Sequence, residues 1–270
     1  MVALQCCIFS HVPFFGIFFV VTTIGATQGV ESGSAEVACQ SNKGGVATSG
    51  GGFSVRYPQP SYQNDAVAAW RAICNNQTAC GPVESGTGVG QYVAYGGRAY
   101  PDLALAGHNY EIVVGGITYL VSGTAASTPA VAGMVSLVNA ARVANGLSTV
   151  GFMNPTLYAA TNFINDITEG MNQCLDDQYG GSCCASGFNA TVGWDPVTGL
   201  GSVDYAKFKD IFPTSRRRTR ALRASRSQGR VGAVDASQAW GVRVMGVLSV
   251  AAERIGYIRN YVVDILFNAI

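Results

Sequence analysis

Residues 120–146 read LVSGTAASTPAVAGMVSLVNAARVANG. Small residues run into a proline, and apolar residues follow at helical spacing. A nucleophile placed in such a turn would sit at a helix N-terminus, where unpaired N–H groups and the helix dipole favour a developing anion. It would also need a base to take its proton. The residue at the apex is Ala125, which carries no nucleophilic atom. From spacing alone the simpler reading is a turn that lets a strand and a helix approach closely, since small-residue turns are common in α/β folds. The two histidines are His11 and His108. His108 with Asp102 and a nearby serine is a second arrangement that could activate a hydroxyl, but nothing in the spacing brings the three together.

The elements around this turn follow from pattern. Val20–Ala26 reads as a buried strand, and 47–54 (ATSGGGFS) as a glycine-rich loop. From Tyr62 a helix is predicted with Ala66, Val67, Trp70 and Ile73 on one face. Two β-branched runs joined by Gly115-Gly116 predict a hairpin. The helix of the opening stretch is predicted to be capped by Ser127 or Thr128, with Pro129 in its first turn.

At 270 residues, 48% apolar and 12% charged with 34 glycines, the chain suits a loop-rich α/β or β protein and excludes a coiled coil or a disordered chain. After Phe212 ten arginines face three acidic residues, a balance of +7; before it, seven basic groups face thirteen acidic ones, a balance of −6. The tail 213–237 reads as an Arg-rich linker and 238–270 as an amphipathic apolar extension, helical if ordered. Its arginines could meet anionic lipid or nucleic acid, but a solvated extension is the simpler reading, and no nucleic-acid partner is expected. Charges in 238–270 argue against a membrane span. Residues 1–19 are apolar enough for a signal-peptide core, yet lack a positive start and are broken by His11 and Pro13.

Eight cysteines, with Cys74 near Cys80 and Cys174, Cys183 and Cys184 in one loop, favour disulfides in an oxidising compartment. Without a CxxC pair, structural zinc is disfavoured. Sequons at Asn76 and Asn189 point the same way.

Seven motifs in order, VTTIGATQG, SGGGFS with YPQPSYQNDAV, GGRAYPDLAL, SGTAASTPAVAGMVSLVN, GFMNPTLY, NDITEGMN and VGWDPVTGLGSVDY, resemble the sedolisin family of serine-carboxyl peptidases over about 20–212. The resemblance implies an α/β, subtilisin-like three-layer domain with a mostly parallel sheet, acid-active hydrolysis of peptide bonds, and a secreted or acidic endomembrane location. Three departures accompany it. The family's nucleophile is the fourth residue of Ser-Gly-Thr-Ser, and that position is Ala125. The family's Glu-x-x-x-Asp dyad, two carboxylates one helical turn apart, has no counterpart in these 270 residues, nor has the Ser-Gly-Asp turn that supplies its oxyanion-hole carboxylate. Both would precede Val20, so the chain resembles the C-terminal part of the catalytic domain alone. The expectation is a peptidase by descent that does not cleave peptides. The alternatives are a calcium-stabilised peptide- or protein-binding module, or a truncated product that does not fold alone.

The resemblance also implies one calcium ion. Its ligands would be the carboxylates of Asp166 and Asp195 and the carbonyls of Ile167, Thr191 and Gly193, with Thr191 standing where relatives often have glycine. Oxygen donors on a tight loop suit that ion. Read without the resemblance, both aspartates serve as turn or capping residues.

Overall fold

The computed structural model describes residues 20–74, 96–160, 162–174, 183, 187–214 and 244–246. The leader, the Asn76 sequon, Cys80, Cys184 and most of the tail lie outside them. Strands β1 (Thr22–Gln28), β2 (Val37–Ala38), β3 (Gly52–Pro58), β4 (Gly97–Tyr100), β5 (Leu103–Ala106), β6 (Tyr110–Val114), β7 (Ile117–Val121), β8 (Ile164–Asn165), β9 (Ser202–Val203) and β10 (Val244–Gly246) alternate with helices α1 (Asn64–Cys74), α2 (Thr124–Ala144), α3 (Asn154–Tyr158) and α4 (Tyr205–Ile211). The main sheet runs β10-β1-β5-β9-β8, with β2 along β1. The pairs β10/β1, β1/β5 and β5/β9 are parallel, and β2 and β8 are antiparallel to their neighbours. A mixed α/β domain with a partly parallel sheet is therefore present. Among the described residues no helix is long and apolar enough to cross a membrane.

Strand β1 is buried along its whole length, as a strand covered on both faces must be. Helix α2 packs on β1, β5 and β10 and turns Val131, Val135 and Val138 into the core. Helix α1 contributes Val67 and Trp70, with Ala66 and Ile73 beside them, the face read from its period. Phe53, Trp70, Phe188 and Trp194 form one aromatic cluster with centroids 5.4–6.1 Å apart. Full burial of each ring contributes roughly 1.5–3 kcal/mol. Gly51 is required there: a Cβ would lie 1.9 Å from the Pro196 carbonyl oxygen.

Three expectations are corrected. Helix α2 begins at Thr124, a turn before the expected caps, and Gly123 takes the N-cap position at φ 138°. Ser127 and Thr128 do not cap. The Ser127 hydroxyl donates to the carbonyls of Leu105 and Ala106, and that of Thr128 to the Thr124 carbonyl. Pro129 consequently lies inside the helix. The loop 47–54 gives way to strand at Gly52. In the extension, Val244–Gly246 is a strand rather than helix, held by pairing with β1.

Candidate functional site

The turn before α2 is fixed by main-chain bonds that run back to β1. Gly123 N–H donates to the Gly107 carbonyl at 2.6 Å, and Gly107 N–H to that of Thr27 at 2.8 Å. Gly107 has no room for a side chain, since a Cβ would lie 2.6 Å from both Ala26 Cβ and Ser127 Oγ. The turn thus stands at the C-terminal ends of β1 and β5, a position where open α/β sheets hold their ligands. Ala125 is exposed at its apex. The place suits a nucleophile, and the side chain there is a methyl group.

The His108 arrangement is only half assembled. The Ser122 hydroxyl and His108 Nδ1 are 3.1 Å apart, and Ser122 Oγ accepts from Asn109 N–H at 3.0 Å. Together they close the base of the β6–β7 hairpin. Asp102 precedes β5 and His108 follows it, so at about 3.3 Å per residue they stand roughly 20 Å apart. Asp102 is instead wholly buried with Arg98, 2.6 Å from its Nη2. It also accepts from Thr23 N–H and hydroxyl and from Tyr158 OH. Arg98 donates further to the carbonyls of Val21 and Ala99. This network pins the start of β1 to β4 and β5, and leaves Asp102 no part in proton transfer at Ser122.

Asp166 and Asp195 do meet around one turn. Asp166 Oδ2 accepts from Gly193 N–H at 2.9 Å. Asp195 Oδ2 accepts from Thr191 N–H at 3.1 Å, and Oδ1 from Val197 and Thr198 N–H at 2.8 Å each. Asp195 is fully buried, and burial pushes its carboxyl up to about 7 despite those bonds. Thr191 Oγ1 is buried without a hydrogen-bond partner. A desolvated carboxylate and an orphaned oxygen are features that a cation would relieve. Thr191 also keeps a negative φ, because Asn109 alone among the described non-glycine residues has a positive one. Among the described residues no group of three or more His, Cys, Asp or Glu is placed to hold a metal, so a calcium ion here would depend on main-chain carbonyls.

Two features lay beyond sequence reasoning. Glu36 accepts from Thr27 Oγ1 at 2.6 Å, Asn165 Nδ2 at 2.9 Å and Ser202 Oγ at 2.8 Å. It joins the ends of β1, β8 and β9 beside Asp166, and a lone glutamate among small polar residues gives no sign of this. An open cleft of about 570 Å³ lies between the loop after β1 and the β6–β7 hairpin, with Gln28, Glu31, Lys43, His108, Glu111 and Leu120 on its walls. Its walls come from distant segments, so no motif marks it.

Of the cysteines, Cys174 and Cys183 are bridged and Cys74 is also disulfide-bonded. The buried Cys39 thiol donates to the Ala47 carbonyl. Disulfides of this kind are compatible with an oxidising compartment.

No family model matches the chain. It is 39% identical over 175 residues to tripeptidyl-peptidase sed1 of Aspergillus fumigatus, covering 61% of this chain and 25% of that protein. It is 38% identical over 176 residues to physarolisin of Physarum polycephalum, covering 63% and 28%. It is 39% identical over 160 residues to tripeptidyl-peptidase 1 of Macaca fascicularis, covering 58% and 26%. The chain thus spans about a quarter of the length of these relatives. A solved structure of Pseudomonas sedolisin, a serine-carboxyl proteinase in complex with pseudo-iodotyrostatin, is similar at 27% identity and a TM-score of 0.49, over 73% of this chain and 47% of that one.

Proposed function

The chain is related by descent to the sedolisin family of serine-carboxyl peptidases, and from that premise we propose that it is a calcium-stabilised, non-hydrolysing form of the peptidase scaffold. The observation that carries this is Ala125, exposed at the head of α2 where the family's nucleophile would stand. A methyl group cannot attack a carbonyl. Ser122, the hydroxyl that meets His108, is held at the hairpin base by Asn109 and His108. Calcium would be held by Asp166 and Asp195 with the carbonyls of Ile167, Thr191 and Gly193. Its chemistry there is charge neutralisation of two carboxylates, not turnover. The protein would act in a secreted or acidic endomembrane setting.

A second reading, in which the scaffold holds peptides without cutting them, is favoured by the cleft between the loop after β1 and the β6–β7 hairpin. It carries both signs of charge and the apolar Leu120, and is large enough for several side chains.

The test is to assay the parent chain and Ala125→Ser against tripeptide amides and protein substrates from acid to neutral pH, with and without calcium. Neither is expected to turn over. Restoring one hydroxyl supplies no base and no oxyanion donor, and loss of one such donor alone costs about 10²–10³ in rate. Turnover by the parent would overturn the proposal. Turnover by Ala125→Ser alone would reveal a base in the chain, with His108 the first to examine.

A further inference from the structure

Strand β1 has two edges, and its main-chain groups divide between them by parity. Thr23 N–H and C=O meet Asp102, and the Thr27 carbonyl accepts from Gly107, so the odd residues face β5. The even residues face away. At Ala26 that outer side is satisfied locally, because its N–H donates to Ser49 Oγ and its carbonyl accepts from Cys39 N–H. Further on, β2 pairs with Thr27 and Gln28. Neither β2 nor these loop groups reach Thr22 and Ile24, which are 3% and 0% exposed. Buried main-chain groups without partners are costly, and an open edge in a buried strand invites pairing. The structure meets this stretch with Val244–Gly246, in parallel register Thr22↔Val244, Thr23↔Met245 and Ile24↔Gly246.

We propose that the outer edge of β1 over Thr22–Ile24 is a strand-acceptor site filled in cis by the tail segment Val244–Gly246. The tail is then a structural part of the domain rather than an appendage. The roughly thirty residues between Thr214 and Val244 can extend to about 100 Å, so reach does not limit the connection. Strand addition recognises main chain more than side chain, which suits a segment as plain as Val-Met-Gly, preceded by Arg243 and followed by Val247 and Leu248.

The test uses the full-length chain. Met245→Pro removes a main-chain donor from the middle of the donated strand. Amide exchange at Thr22 and Ile24 should quicken by about tenfold or more, while the amides of β5 keep their protection. Unchanged exchange at Thr22 and Ile24 would overturn the proposal. A second measurement does not require the chain to tolerate proline. A specific protease site inserted after Arg223 is cut under native conditions and the products are separated by size. No cysteine lies beyond Cys184, so only non-covalent contacts can retain the C-terminal fragment. Co-elution with a monomeric body supports the proposal. Release from a folded body overturns it, and so does a concentration-dependent dimer of uncut chain in which the tail pairs with a second copy.

Discussion

Arg98 and Asp102 form an ion pair with both side chains at zero exposure. Pairs of this kind add little over apolar packing, but breaking one leaves a buried charge, at a cost of about 3–5 kcal/mol. Arg98→Met should lower the denaturant midpoint accordingly, and Arg98→Met/Asp102→Leu should recover part of the loss; equal midpoints for the parent and the single variant would contradict this. The tyrosines around the pair give a pH dependence. Burial pushes Tyr62 and Tyr100 up to about 12, with Asp102 adding to the effect at Tyr62, and burial with Asp102 raises Tyr158 well above its ordinary value. An unfolded phenol titrates near 10, so the fold holds these protons more tightly than the unfolded chain does. Stability should therefore be full below about pH 10 and fall as pH rises towards 12. Phenolate absorbance and loss of far-UV signal should move together in that range. Titration of all tyrosines near 10 with the fold intact would refute the assignment. The place of Ala125 at the head of α2, and the meeting of Asp166 and Asp195 around one turn, were legible in the sequence because each lies in a compact motif. Glu36 and the cleft were not, because their partners come from segments more than a hundred residues apart or from opposite loops.

The β6–β7 hairpin exposes Val113, Ile117 and Leu120 at 70%, 59% and 61%. Its two strands pair only with each other among the described residues. The run Ile117–Val121 contains no charge and no proline, the composition of a strand that pairs with copies of itself. Ile117→Lys should reduce light scattering on concentration while moving the melting temperature by no more than about 2 °C, since an exposed substitution seldom changes stability by more than about 0.5 kcal/mol. Scattering unchanged by the lysine would show that association uses another surface. This hairpin was legible because Gly115 and Gly116, at φ 60° and 83°, fix the reversal locally. Helix α2 was misplaced by a turn because the hydroxyls that signal a cap are drawn off by strand carbonyls, a tertiary effect. The two- and three-residue strands β8, β9 and β10 exist only through register with distant partners, so periodicity could not reveal them.

Over the whole molecule, the acidic body before Phe212 holds the two carboxylates of the proposed calcium site, Asp166 exposed and Asp195 buried. A ion that binds only the folded form stabilises all of it, by about 2.7 kcal/mol at a hundredfold excess over its dissociation constant. For a body of this size that is roughly 5–10 °C in melting temperature. Magnesium at the same concentration should do much less, because it demands a tighter octahedral shell and keeps its waters. Asp195→Ala is an incomplete test, since that carboxylate also orders Thr191, Val197 and Thr198 and its loss weakens the turn by itself. Asp166→Ala separates the two roles. It removes one exposed acceptor, so the metal-free melt should shift by no more than about 1 kcal/mol, while the calcium-induced rise disappears. A variant that melts like the parent without calcium and still rises like the parent with it would place the ion elsewhere. A parent chain indifferent to calcium would leave Asp195 as a buried acid of the turn, with Thr191 Oγ1 unexplained.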